Sequence, residues 1–245
     1  MMLIWLASYP RSGNTLLRTI LKRSFGLQTY SVYNDTADIG ASRALSRLVG
    51  HVKHRGQLGA FLDEAEAARG PVLVKTHELP AGDHKAIYIV RDGRSSCVSY
   101  YHYLKAFTDI DVGLEEIVLG TVFGGLWMKH VTVWALRARP HTLVVRYEDL
   151  AAGDEATIDQ IGAHIGVAPK ATFDVSFEAM HQTSPRFFRK GSDADNIAEL
   201  NAYCPTLYDT IHGDVARQLG YMSRRKGSLK AARAEVAQLT QRFLS

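Results

Sequence analysis

Short apolar runs rich in β-branched residues alternate along this chain with longer stretches whose apolar residues recur every three or four positions. Runs at 3–8 (LIWLAS), 71–75 (PVLVK), 86–90 (AIYIV) and 142–146 (TLVVR) predict strands. Their continuous apolar character suits strands covered on both faces, as in a parallel sheet. Helical periodicity predicts helices near 14–25, 41–49, 60–69, 94–106, 114–119 and 123–138, then near 154–166, 172–181, 205–219 and 228–243. Residues 184–196 (SPRFFRKGSDADN) are crowded with turn formers and read as a loop. Strands alternating with helices predict a single α/β domain: a central, mainly parallel sheet flanked by helices, with right-handed crossovers and a helical C-terminal part. No internal repeat is visible.

Composition narrows the class. With 245 residues, 46% hydrophobic and 22% charged, the chain can bury one sizeable core. Its 20 Gly, 7 Pro and 2 Cys exclude collagen, low-complexity disorder and a disulfide scaffold. Cys97 and Cys204 lie far apart with no metal-ligand spacing, which points to a reducing, cytoplasmic setting. No apolar run approaches the ~20 residues of a membrane span, and the opening MMLIWLASYP reads as a buried strand rather than a signal peptide. The net charge of +4 is carried by the tail: residues 221–245 hold six Arg and Lys against Glu235, and the rest is close to neutral. That distribution argues against a nucleic-acid-binding face spread over the domain. The expected division is therefore a domain over 1–220 and a basic tail over 221–245. In the tail, Leu229, Ala232, Val236, Leu239 and Phe243 form one face of an amphipathic helix, suited to its own domain, a partner copy (a homodimer) or an anionic membrane surface.

Three segments carry candidate chemistry. Strand 3–8 runs into YPRSGNT (9–15), with a helix from about Asn14. Such a turn aims backbone N–H groups and the positive end of a helix at one point, which suits a phosphate or sulfate. Gly13 permits close approach, Ser12, Asn14 and Thr15 add donors, and Arg11 adds a planar charged fork. An ordinary capped helix would use the same residue types. The segment lacks the leading Gly and the Lys of GxxxxGK[ST], which disfavours a magnesium-nucleotide hydrolase, and no GxGxxG follows any strand. The second strand ends in VKTHELP, placing Lys75 and His77 at the edge where open α/β sheets bind ligands. They offer a cation for an anionic group and an imidazole for proton transfer. The third ends in RDGRSSCVSYYHY (91–103), where Arg91 at the strand end and Ser99 in the following helix suit a second anion. An Arg91–Asp92 ion pair is the structural alternative. His51 and His54 lack a third ligand for a metal, and no acidic cluster suits magnesium.

Together these segments resemble the sulfotransferase family that uses 3′-phosphoadenosine 5′-phosphosulfate (PAPS). YPRSGNT is similar to that family's phosphosulfate loop, VKTHELP to the segment bearing its catalytic base, and IYIVRDGRSSCVSYYHY to its 3′-phosphate motif, in which Arg and Ser are also eight residues apart. VRYEDL (145–150), VSFEAM (175–180) and FRKG (188–191) are similar to its YEDL-like turn, adenine segment and RKG phosphate clamp. The resemblance covers residues 5–191, with all six segments in the family's order. Leu16 stands where the family often has Trp, and RKGSDADN departs from its RKGxxGDW.

This resemblance implies a P-loop-like three-layer sandwich that moves a sulfuryl group from PAPS to a hydroxyl or amine of a small-molecule, sugar or lipid acceptor. Adenosine 3′,5′-bisphosphate (PAP) would be the other product, and no metal or nucleic acid would take part. It implies that Arg11, Ser12, Gly13, Asn14 and Thr15 hold the 5′-phosphosulfate, and that Arg91, Ser99, Arg189, Lys190 and Gly191 hold the 3′-phosphate. Tyr147 and Phe177 would line the adenine; Lys75, with Arg11, would face the sulfuryl group, and His77 would take the acceptor's proton. The competing readings are a magnesium-dependent P-loop kinase and a module that binds the bisphosphate without turnover. Acceptor identity falls to segments 27–59 and 101–127, whose Tyr30, Tyr33, Tyr101, Tyr103, Phe107, Phe123 and Trp127 divide between core and pocket lining.

Overall fold

The computed structural model describes residues 2–36, 38–173, 181–182, 184, 188 and 192–223. Phe177, Arg189, Lys190, Gly191 and the expected tail helix lie outside the described residues, as does most of the helix expected at 172–181. The chain runs β1 (Leu3–Ser8), α1 (Asn14–Phe25), β2 (Thr29–Ser31), a 3-10 turn (Ile39–Ala41), α2 (Arg43–Leu48), α3 (Leu58–Ala67), β3 (Val72–Thr76) and β4 (Lys85–Val90). It continues with α4 (Gly93–Phe107), α5 (Leu114–Val118), α6 (Trp127–Val131), a π turn (Thr132–Leu136), β5 (Thr142–Arg146), α7 (Tyr147–Ala152), α8 (Glu155–Ile165), α9 (Asp193–Tyr203) and α10 (Pro205–Gln218). These fall into two compact units, one from Met1–Arg91 and Val133–Lys190, the other from Asp92–Thr132 and Gly191–Ser245.

The first unit is built on a five-stranded sheet of order β2-β3-β1-β4-β5, parallel throughout. Alternate residues of a strand point to opposite faces, and β1 shows it. Ile4 and Leu6 join Leu17, Ile20, Leu21 and Phe25 of α1 and Ile158, Ile161 and Ile165 of α8 in one core. Leu3 and Trp5 turn the other way, towards Phe61 and Ala65 of α3. Apolar helix faces on both sides explain why the strand sequences show no polar alternation. Burying each such Leu or Ile contributes about 1.5–3 kcal/mol relative to leaving it in water. Lateral register then fixes function-bearing ends: Ala7 is opposite Thr76, Ser8 opposite Ile89, Ser31 opposite Lys75 and Val90 opposite Arg146. All five strands therefore finish along one edge of the sheet.

The second unit is helical. Asp92 caps α4 by accepting from the Arg94 N–H at 2.9 Å, and its carboxylate also binds the Arg94 guanidinium at 2.6 Å. A Cβ at Gly93 would collide with the Trp127 ring and the Tyr208 hydroxyl, so these helices pack against bare backbone there. Ser95 of α4 bonds Asp193 and accepts from Asn196 at 2.9 Å, and His102 meets Glu199 at 2.9 Å, joining α4 to α9. His212 is fully buried; its Nε2–H donates to the Val118 carbonyl at 2.9 Å and its Nδ1 accepts from the Met128 N–H at 3.3 Å. The two cysteines, Cys97 and Cys204, are buried and not joined in a disulfide. No described helix is long and apolar enough to cross a membrane.

Several expectations need correction. The end of the stretch read as loop at 184–196 is helical, because SDAD is a capping box: Ser192 Oγ accepts from the Asp195 N–H while the Asp195 carboxylate accepts from the Ser192 N–H, and α9 starts at Asp193. The helix expected over 123–138 is interrupted, since Gly124 and Gly125 hold φ values of 93° and 62° and only α6 and the π turn follow. The YEDL segment, expected as a turn, is helix α7. Strand β2 was not foreseen.

Candidate active site

The site is assembled at the carboxyl edge of the sheet in the first unit. After β1 the chain turns through Tyr9–Gly13, with Ser12 N–H donating to the Tyr9 carbonyl at 3.2 Å. Arg11 and Gly13 both take positive φ, 62° and 106°. Alternating backbone signs of this kind turn successive N–H groups into one concavity, the usual seat of an anion. Helix α1 begins directly behind it with no side-chain cap and no acidic residue in its first turn, so the positive end of its dipole is not neutralised locally. The residues therefore fit a phosphosulfate group. Ser12 is buried, and Arg11 and Thr15 are half-buried.

Two aromatic and cationic side chains brace this loop. Arg91, at the end of β4, donates through Nη1 to the Arg11 carbonyl at 3.0 Å. Its guanidinium carbon lies 4.1 Å from the centre of the ring of Tyr147, the first residue of α7. That ring occupies the space a side chain at Gly13 would need, since an added Cβ would sit 2.5 Å from its Cδ2. Asn14 behaves differently from expectation: its Nδ2 donates to the Leu6 carbonyl at 2.8 Å and to Ser8 Oγ at 3.3 Å, so the amide anchors α1 to β1.

His77 follows β3 and is half-buried. Its Nδ1 lies 2.7 Å from the Ser8 carbonyl oxygen, and a carbonyl can only accept, so Nδ1 carries a proton; in the neutral ring the lone pair is then on Nε2. Its backbone N–H donates to the Tyr33 hydroxyl at 2.9 Å, and the two rings stack with centres 5.9 Å apart. Burial pushes the Tyr33 hydroxyl up to about 12, which keeps it protonated. Lys75 does not stand alone at the end of β3. Its Nζ binds Asp35 Oδ1 at 2.8 Å, and the other Asp35 oxygen binds buried Arg18 at 2.6 Å. Burial opposes ionisation of Asp35, but the two cations outweigh it and hold the carboxyl well below the usual range.

The structure thus brings Arg11, Ser12, Gly13, Asn14, Thr15, Lys75, His77, Arg91 and Tyr147 to one sheet edge. Ser99 is half-buried on α4 in the second unit. Sequence reasoning missed Ser8, Asp35 and the clamp role of Tyr33. One signal was available: Arg18 sits among Leu17, Ile20 and Leu21 on the buried face of α1, and a charge there demands a buried partner.

A five-stranded parallel sheet with a positive-φ turn between its central strand and first helix defines a P-loop-like α/β fold. Residues 3–200 match the family described as "Sulfotransferase domain", and the chain belongs to that family. It is similar to Sulfotransferase 4A1 of Mus musculus, 26% identical over an alignment of 195 residues, which covers 73% of this chain and 65% of that protein. The proteins of that name from Rattus norvegicus and Homo sapiens match to the same extent. The chain thus spans slightly less than two thirds of the length of these relatives. Its fold is similar to that of mouse sulfotransferase SULT7A1 complexed with PAP, with TM-score 0.58 and 21% identity over 89% of this chain and 87% of that one. Retinol dehydratase in complex with androsterone and inactive cofactor PAP gives 0.57 and 17%, covering 92% of this chain and 82% of that one.

Proposed function

We propose that this protein transfers the sulfuryl group of PAPS to a hydroxyl of a small-molecule acceptor, with PAP as the other product. When bound, PAPS supplies a sulfuryl group activated by a phosphate leaving group. Arg11, Ser12, Gly13 and Thr15, with the backbone N–H of Asn14, would hold the phosphosulfate; Arg91 would hold the 3′-phosphate and Tyr147 would meet the adenine. Transfer of this kind resembles phosphoryl transfer, with a loose in-line transition state, so the protein contributes mainly positioning and charge stabilisation. Lys75 and Arg11 are the cations suited to that second task. A neutral hydroxyl is a poor nucleophile, and a positioned base contributes roughly 10²–10⁴ in rate.

The observation that carries this reading is the tautomer of His77. The Ser8 carbonyl lies 2.7 Å from Nδ1, which in the neutral ring puts the proton there and makes Nε2 the basic nitrogen, and Ser8 immediately precedes the anion loop. Androsterone in the retinol dehydratase complex supports a small-molecule acceptor here. The kinase alternative is weakened because Asn14, which stands where a P-loop lysine would be, spends its amide on β1. Reduced thiols at Cys97 and Cys204 support a reducing, cytoplasmic setting.

The decisive experiment offers labelled PAPS, and separately labelled ATP, to the purified protein with a panel of alcohols, phenols, sugars and amines in excess chelator. Transfer from PAPS alone is expected. Transfer from ATP, or tight PAP binding without turnover on any acceptor, would overturn the reading.

A further inference from the structure

The turn that follows β2 reaches both Lys75 of β3 and His77 just beyond it. Asn34 and Asp35 hold positive φ values of 52° and 46°, which non-glycine residues adopt only when their surroundings enforce it. Enforcement is visible. The Gly40 N–H donates to the Asp35 carbonyl at 2.7 Å, His51 Nε2 to the Asn34 carbonyl at 3.0 Å, and the His54 N–H to Asn34 Oδ1 at 2.9 Å. Gly40 has no room for a Cβ against the Asn34 and Asp35 carbonyls. The result of this strained path is that Asp35 points inward and Tyr33 lies across His77.

The charges inside the turn form a graded arrangement. Arg18 is fully buried and each of its nitrogens is committed: Nε to Thr29 Oγ1 at 2.8 Å, Nη1 to Asp35 and Nη2 to His51 Nδ1 at 2.8 Å. Its partner ring therefore accepts at Nδ1 and donates at Nε2, a neutral imidazole. Asp35, with its side chain 2% exposed, also accepts from Ser31 Oγ at 2.8 Å. One carboxylate thus faces two cations, and the cluster keeps a net positive charge. Lys75 is its more exposed cation, with 12% of its side chain accessible against none for Arg18. A lysine chain is flexible, whereas one anchored to a buried carboxylate presents its remaining N–H bonds in a fixed direction. Tyr33 does the corresponding work for His77, through the 2.9 Å bond to its backbone and the stacked ring.

We propose that the Ser31–Asp35 turn is the positioning element of the transfer site, in which Asp35 aims Lys75 and Tyr33 holds the imidazole of His77. This inference rests on the sulfuryl-transfer reading, and its test includes two measurements that need no turnover.

The first is the acetylation rate of Lys75 by a water-soluble active ester in the unliganded protein, followed by peptide mass spectrometry. Asp35→Asn is expected to raise it at least ~10-fold, because the anchor is lost. The second is imidazole ¹⁵N NMR: wild-type His77 is expected to show one tautomer, and Tyr33→Leu to show averaged signals. In the assay, Asp35→Asn is expected to lower kcat about 10-fold with the KM for PAPS within about 2-fold, and to have no further effect on kcat in a Lys75→Met background, as for residues acting as one unit. Unchanged Lys75 acetylation, unchanged His77 signals, or losses that multiply in the double variant would each overturn the proposal. Should Asp35→Asn fail to fold, as removal of a buried counter-charge allows, the Tyr33→Leu spectrum decides alone. A wild type that transfers nothing from PAPS would defeat the proposed function while leaving both spectroscopic and labelling results standing, so the two failures are told apart.

Discussion

An imidazole serves as a base through whichever nitrogen lacks the proton, and in His77 a backbone oxygen makes that choice. Removing the ring should leave the anion loop in place, since Ser12 N–H bonds the Tyr9 carbonyl and Arg91 bonds the Arg11 carbonyl. His77→Ala is expected to lower turnover at least ~10²-fold while calorimetry shows PAP binding near the wild-type affinity. Unchanged turnover would remove His77 from the chemistry. Both His77 and Lys75 were legible because a short motif at a strand end carries them. Asp35 and Tyr33 were not, because their contacts to Lys75 and His77 cross 40 and 44 positions of chain. Neither a hydrophobic period nor a spacing rule encodes such a pairing.

Helix α1 and the loop before it behave as one element, and Gly13 is the joint. A side chain there meets two penalties: a φ of 106°, which L-residues rarely adopt, and the Tyr147 ring. Gly13→Ala is expected to cost about 1–3 kcal/mol of stability and to weaken PAP binding more than ~10-fold, read by thermal melts and calorimetry. Wild-type binding would show that the loop tolerates another path. At this scale the long strands were plain from their apolar runs, and β1 and β5 fall where the sequence puts them. Strand β2 was hidden by its brevity: Thr29–Ser31 is too short to show a period. Helix α9 was hidden by its own cap, because Ser192, Asp193 and Asp195 are both turn formers and helix starters.

Across the whole molecule, acid is the expected weakness. Burial lowers the pKa of His51, helped by the neighbouring Arg18 charge, and of His164, helped by Lys85; it takes His212 down to about 4. These rings are held neutral by the fold, so below their ordinary value of 6.5 the unfolded chain binds protons that the folded one refuses. Stability is then complete above about pH 6.5 and declines as the pH falls towards the folded values. For His212 alone the drop from 6.5 to about 4 corresponds to roughly 3 kcal/mol. Thermal melts between pH 7 and 4.5 should show a steady fall in Tm; a flat profile would show that these rings are solvated in the native state.

The helical unit also contains its own clock. Cys97 and Cys204 are both shielded, and burial raises the Cys204 thiol to about 11. A sulfhydryl reagent reacts with the thiolate, and only where solvent reaches it. In the native protein neither sulfur should consume Ellman's reagent on mixing; each should do so at the frequency with which its helices part. Following that colour with and without PAP would register whether nucleotide quiets those openings, with no label, reporter or acceptor required.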